Sequence, residues 1–513
     1  MGSGIPYSLT ETQQYVYAVI SRWYSCFVTA GVSLNMSAHG IVMGFAAILL
    51  PQLRKPDSPI PIDDSSGSWI AAILGIALIV GNFIVPSIMA NFGRRTANIV
   101  SIVPLISGWF LISMANSVTM LLVARFLQGV SMGMSTSLCP VLIGEYTSPK
   151  NRGAFLMTIS LAIASGVLTA HTLGSFLNWS RVAIVCAFIA FIDLLIVLNS
   201  PESPSFLADQ GRYEECREVF RWLRGDEEEE ELTRMVDTSV ILREAKEEID
   251  TSETFMQSFR RNVTYFKTTV RKREFYKPIF IMIHLYILLQ WSGGNVLATY
   301  TIDVFHNVIG PDVNVPLLII TLGTQRIISN TCALLVIKRV KRRTMLLVTV
   351  SLNLTAYLST AAYVYCKTHG LLPFDHPFIG VFLIHLHMFS IATGTIPMPF
   401  IIAGELFPLQ YRSLAGGISV LFLSANFFIN VKTLPLLFKS LGLYGAYAIY
   451  ASVITYCLVM IWRFLPETKD RTLQDIEDEF RGKRLSPEEL KSAQSLMSLK
   501  YAMMDRRCSN PAI

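Results

Sequence analysis

Apolar runs of about 20 residues, the length that crosses a bilayer core, recur near 25–50, 68–90, 97–115, 119–144, 154–176, 182–200, 278–304, 313–337, 344–366, 377–404, 413–437 and 443–465. Six runs precede a long polar stretch and six follow it. Helices satisfy their own backbone inside lipid, so the pattern predicts an all-α membrane protein of twelve transmembrane helices in two pseudo-symmetric six-helix bundles. The expected divisions are an N-terminal segment 1–24, a first bundle 25–200, a linker 201–277, a second bundle 278–465 and a tail 466–513.

The polar stretches carry their own signals. In the linker, Leu207, Cys216, Phe220 and Leu223 share one helical face. The acidic run 226–231 reads as a solvated loop, and the basic-aromatic segment FRRNVTYFKTTVRKREFYK as lying along the inner leaflet. SPEEL at 486–490 has Ser, Pro and Glu placed to start a short helix. Residues 1–23 are polar and mixed, unlike a cleaved signal peptide.

Composition adds to this picture without changing it. The 513 residues are 52% hydrophobic, more than a single soluble core needs. The eight cysteines are scattered without paired spacing, so no disulfide framework or metal site is expected. The net charge of +6 suits loops facing anionic lipid, and nucleic acid is not an expected partner. Arg94, Arg95, Lys150, Arg152, Arg339, Lys341, Arg342, Arg343 and Arg412 fall on one side of the twelve runs, which places both termini and the linker in the cytoplasm of a multi-pass plasma-membrane protein.

One charged device occurs twice. Glu145 is followed by Arg152 and Glu405 by Arg412 at the same spacing, each pair after an apolar run containing proline. Matching devices half a chain apart point to two related halves.

The stretch LQGVSMGMSTSLCPVLIGEYTSPKNR, Leu127 to Arg152, resembles the signature of the sugar-porter branch of the major facilitator superfamily, the branch of animal glucose and insect trehalose transporters. NFGRR (91–95), PESP (201–204), QWSGGN (290–295), GELFP with Arg412, and PETKDRTL (466–473) follow in the family's order. The resemblance implies the major facilitator fold and a carrier that moves a sugar, trehalose or a hexose-like solute, by alternating access, as a monomer without cofactor. It further implies that Arg94, Arg95, Glu145, Arg152 and Glu202, with Arg342, Arg343, Glu405, Arg412 and Glu467, form charge clusters that close the inner mouth in one state and part in the other. Two positions depart from the pattern: Asn91 stands where many members have Asp, and Lys338 where an acid is expected.

The same resemblance assigns a substrate site midway through spans 5, 7, 8, 10 and 11, where buried hydroxyls need polar partners. Gln290, Asn295 and Asn426 are retained, whereas Ser160 and Leu289 replace Gln, Arg326 replaces Asn, Ala392 replaces Glu and Phe400 replaces a stacking Trp. Gln290, Asn295, Arg326, Phe400, Asn426 and Ser160 are therefore the expected substrate-binding set. Arg326 faces either the solute, an anionic one included, or span-end carbonyls or a tyrosine. Lys432 is expected to snorkel. Gly293, Gly294, Pro397 and Pro399 interrupt helix hydrogen bonding, making spans 7 and 10 the expected gates. Proton-coupled relatives carry a first-span Asp where this chain has Ala46, so facilitated diffusion is expected, with His39, His171, His284, His385 and His387 as hydrogen-bonded structural residues. Asn178 in NWS fits an unmodified glycosylation pattern. No nucleophile, metal or phosphate-loop constellation points to an enzyme. The alternatives are a proton-coupled or non-sugar carrier and a solute sensor that does not transport.

Overall fold

The computed structural model describes residues 11–482 except 148, 225–227, 249–266, 312, 338, 374, 408–411, 470 and 472; side chains are described within these except at 11–25, 149–154, 156–157, 234, 238, 241–248, 412–413 and 473–474. The expected terminal helix, Lys338, residues 259–266 of the basic-aromatic segment, and the side chains of Arg152 and Arg412 lie outside the described residues.

The first half consists of α1 (Glu11–Leu53), α2 (Asp64–Phe92), α3 (Arg94–Ser113), α4 (Val118–Tyr146), α5 (Pro149–Phe176) and α6 (Trp179–Leu198). These are spans 1 to 6. The linker contributes α7 (Pro204–Asp209), α8 (Tyr213–Arg224) and α9 (Glu229–Glu248). Span 7 is divided into α10 (Arg273–Trp291), α11 (Gly294–Thr299) and α12 (Thr301–Val308). Span 8 is α13 (Val315–Val336) and span 9 is α14 (Arg342–Thr368). Span 10 comprises α15 (Pro377–Ser390), a π turn (Ile391–Thr395) and α16 (Pro397–Leu406). A helix α17 (Arg412–Phe464) and a short α18 (Leu473–Arg481) complete the chain.

Among the described residues, eleven helical stretches are long and apolar enough to cross a membrane, and the last of them, Leu414–Phe464, holds two spans. Its backbone leaves the helical region at Gly442 (φ 70°, ψ 175°), where spans 11 and 12 meet. The twelve-span pattern therefore stands, although α1 begins well before the apolar run.

Local chemistry sets several helix starts. Asp63 accepts from the Ser66 amide (3.1 Å), Ser117 from Met120 (3.4 Å) and Asn314 from Leu317 (3.1 Å), satisfying amides that have no partner in a first helical turn. Small residues set the packing distance. A Cβ at Gly133 would collide with the Leu78 carbonyl and one at Gly81 with the Val130 carbonyl, so spans 2 and 4 approach backbone to backbone.

The acidic run differs from its expected solvated loop. Glu229 opens α9, where carboxylates favour the positive helix end. Glu229 pairs with Arg221 (2.8 Å), and Glu228 and Glu231 pair with Arg224 (3.2 and 3.0 Å). Arg224 also donates to the Glu145 carbonyl (3.0 Å), tying the linker to span 4. The amphipathic face expected from sequence packs as a small core: Leu207, Cys216 and Phe220 meet Leu232 and Val236, while Leu223 joins the core under spans 1 to 5.

Candidate functional site

Each half carries a charge cluster at the end from which the linker emerges. In the first half, Glu202 accepts from the Arg94 amide (2.8 Å) and the Arg95 amide (3.1 Å), the first two residues of α3. In the second, Glu467 accepts from the Arg342 amide (2.9 Å) and the Arg343 amide (3.2 Å), the first two of α14. A carboxylate at a helix N-terminus is held by free amides and by the helix dipole. Gly93, at φ 94°, leaves room for it, since a Cβ there would collide with Glu202. The Arg94 guanidinium then reaches Glu145 (3.1 Å) and that of Arg342 reaches Glu405 (3.3 Å). Hydroxyls complete both sets: Ser203 donates to Glu145 and Thr468 to Glu405. Sequence reasoning omitted these hydroxyls, although Glu202-Ser203 and Glu467-Thr468 repeat as visibly as the arginines. The ion pairs just described stay within their own half.

Other contacts bridge the halves, ion pairs at the opposite, far end and hydrogen bonds deeper along the spans. Arg54 pairs with Asp303 (3.3 Å) and Lys439 with Asp64 (3.7 Å). Asn82 donates to Ser424 (3.2 Å), and His171 bonds the Ala298 carbonyl (3.0 Å). Lys432 reaches into the other half. Its ammonium donates to Ser68 (2.7 Å) and lies 4.1 Å from the centre of the Trp69 ring, both in the first half. At the linker end, among the described residues and apart from each glycine's own helix backbone and chain neighbours, nothing lies within 4 Å of where a Cβ would stand at Gly404, Gly416 or Gly417.

Between these ends, span 7 breaks where sequence placed a hinge. Gly293 is left-handed (φ 96°, ψ −2°), and a Cβ there would collide with the Tyr357 hydroxyl. The freed carbonyls are captured from spans 9 and 10: Trp291 by Tyr357 (3.3 Å), Ser292 by Asn353 (3.2 Å) and His387 (2.9 Å). Span 10 bends at the π turn, and Pro397 starts the helix that follows. The break is therefore held by side chains that no local motif announces.

The expected substrate residues are placed unevenly. Asn295 donates to Gln290, which donates in turn to the Leu423 carbonyl (3.2 Å), so these two buried amides are partly engaged with each other. Asn426 accepts from Trp291 (3.4 Å) and donates to the Phe422 carbonyl (2.9 Å), bringing spans 7 and 11 together. Phe400 is 46% exposed, its ring 6.3 Å from that of Tyr286. Ser160 is half-buried on span 5.

Arg326 stands midway along span 8 and is 6% exposed. Its Nε has no hydrogen-bond partner, and it lines a cavity of about 20 Å³ with His171, Thr301 and Met388. A guanidinium at such depth costs on the order of 3 kcal/mol. A second cavity of about 220 Å³, lined by Gln52, Lys55, His171 and Ser175 among others, lies toward the far end. Two other buried charges frame the first half. Arg125 donates to the Val42 carbonyl (2.8 Å) and to Gln128 (3.1 Å). Asp193 in span 6 is fully buried, and neither carboxylate oxygen accepts a hydrogen bond. Sequence reasoning missed it, although a lone acid inside FIDLLIVL is a visible signal.

The five span histidines bond neighbours as expected: His39 the Asn35 carbonyl (2.6 Å), His284 the Phe280 carbonyl (2.7 Å) and His385 the Val381 carbonyl (2.9 Å), beside the two bonds given above.

Comparison with known proteins places this architecture. The chain is 28% identical over 470 residues to the facilitated trehalose transporter Tret1 of Drosophila yakuba, covering 90% of this chain and 52% of the relative, so it spans about half of that protein's length. It is 27% identical over 463 residues to the Culex quinquefasciatus protein of the same name, covering 88% of this chain and 85% of the relative. Among solved structures, it is similar to the major facilitator superfamily proton:xylose symporter XylE bound to 6-bromo-6-deoxy-D-glucose (TM-score 0.69, 19% identity, 89% of this chain and 99% of that chain). It is likewise similar to XylE from E. coli in a partially occluded inward-open conformation (TM-score 0.70, 17% identity, 88% and 100%). At those identities the likeness is one of fold. The model of the Sugar (and other) transporter family matches residues 13–480, and the chain belongs to that family.

Proposed function

We propose that this protein carries a small hydroxylated solute across the plasma membrane by alternating access, as a facilitated-diffusion carrier acting as a monomer with both termini and the linker in the cytoplasm. The observation that carries the reading is the asymmetry of the contacts. Ion pairs join the halves at the far end through Arg54–Asp303 and Lys439–Asp64, while among the described residues at the linker end the arginine-glutamate pairs lie within one half each. With the linker end cytoplasmic, this is a carrier with its outer mouth shut.

In this reading Gln290, Asn295, Arg326, Asn426, Phe400 and Ser160 meet the solute. Spans 7 and 10 bend at Gly293-Gly294 and before Pro397-Pro399. The clusters of Arg94, Arg95, Glu145 and Glu202 and of Arg342, Arg343, Glu405 and Glu467, together with Arg152 and Arg412, meet when the inner mouth closes. Each exposed pair is worth about 0–1 kcal/mol, and several together suffice to bias a conformational equilibrium of a few kcal/mol. The names of the trehalose-transporter relatives favour a sugar, and the absence of a first-span acid at Ala46 favours diffusion over proton coupling.

The test is uptake of radiolabelled trehalose, glucose and organic acids into proteoliposomes of the purified protein, with and without a pH gradient. Saturable equilibration of one solute is expected. Solute binding without flux would make the protein a sensor, and accumulation driven by the gradient would make it a symporter.

A further inference from the structure

We propose that the solute carries a carboxylate, recognised by Arg326, so that the substrate is an acidic sugar or related hydroxy acid and not a neutral one. The inference rests on the carrier reading above and narrows its substrate class.

Arg326 is set apart from the other buried cations. Arg125 meets two backbone carbonyls and Gln128, Arg224 meets two glutamates, and Lys432 meets Ser68. Arg125 and Arg224 each keep one unpartnered nitrogen beside these bonds, whereas among the described residues nothing accepts a hydrogen bond from Arg326, whose Nε is buried at mid-span. Its cavity shares His171 and Ile319 with the larger one, so the two adjoin between spans 1 and 5 of one half and spans 7 and 8 of the other. Lys55 lines the larger cavity near the far end and Arg326 the smaller at mid-span, and neither lining contains an acidic residue.

A path with cations at both ends and no anion is electrostatically incomplete until an anion enters it. Hydroxyls of a neutral sugar would accept hydrogen bonds there but leave the formal charge uncompensated. A carboxylate matches the guanidinium fork in both charge and geometry.

The experiment uses the purified full chain in proteoliposomes and compares labelled D-glucuronate and D-gluconate with D-glucose and trehalose at equal concentration. Uptake of the acids is expected to exceed that of the neutral sugars about tenfold and to rise when the vesicle interior is made positive. Arg326→Gln should abolish that preference and Arg326→Lys should keep part of it. Equal or faster uptake of glucose or trehalose, with the ratio unmoved by Arg326→Gln, overturns the proposal. A thermal-shift measurement on the unaltered protein covers the case in which the variants do not fold: glucuronate should raise the midpoint where glucose does not, and the reverse overturns it. If glucuronate raises the midpoint but none of the four solutes crosses, the anion site stands and the carrier reading falls; if no solute does either, the anion site falls.

Discussion

Gly293 carries the break in span 7 because its backbone lies at φ 96° and because Tyr357 and His387 crowd the space a side chain would fill. Holding a residue with a Cβ in that conformation costs about 1–3 kcal/mol, and the collision adds to it. Gly293→Ala should lower the thermal midpoint of the detergent-purified protein by several degrees, and an unchanged midpoint would show that the break relaxes freely. At this scale the break was readable from two adjacent glycines in an apolar run. What was not readable is the set of donors that stabilise it. Tyr357, Asn353 and His387 lie 60 or more residues away in sequence from the carbonyls they reach, and a pattern read along the chain carries no information at that separation.

At the scale of single elements, Lys432 shows how a helix becomes a clamp. Span 11 presents the ammonium to span 2, where a hydroxyl and an aromatic face share it, contacts worth about 1–2 kcal/mol together. Lys432→Met should loosen the far end, so that a thiol introduced as Ser175→Cys is labelled several-fold faster from outside; an unchanged labelling rate would assign the closure to the ion pairs alone.

The terminal helix α18 offers a pH test. Burial raises the Glu477 carboxyl above its ordinary range, with Glu274 and Asp478 adding to the rise and Arg481 opposing it. A carboxyl raised on folding contributes stability while it stays protonated, and loses that contribution as pH climbs through the raised value. Docking of α18 should therefore be firmer at mildly acid than at neutral pH, and Glu477→Gln should flatten the dependence, as read by hydrogen exchange of residues 475–481. Exchange that does not vary with pH in the unaltered protein would refute it.

For the whole molecule, the repeated cluster is the organising device. Glu202 and Glu467 hold equivalent arginines by their backbone amides, and Glu145 and Glu405 hold them by their guanidinium groups. Glu405→Gln removes one anion from the second cluster without changing its shape. It should slow solute exchange about three- to tenfold, for a bias of about 1 kcal/mol, while the amount of folded protein at the membrane is unchanged; full exchange rates would reduce the cluster to a loop anchor.

Twelve spans, their division into halves, the paired clusters and the break in span 7 follow from the sequence alone, because hydrophobic length, repeated motifs and glycine are local properties. The engagement of Gln290 with Asn295, the solitary burial of Arg326, the reach of Lys432 across the interface and the closure at the far end were decided by tertiary structure. Each depends on which face of one helix meets which face of another, and the side-chain partners that satisfy or abandon a buried charge are chosen only once the two bundles have packed.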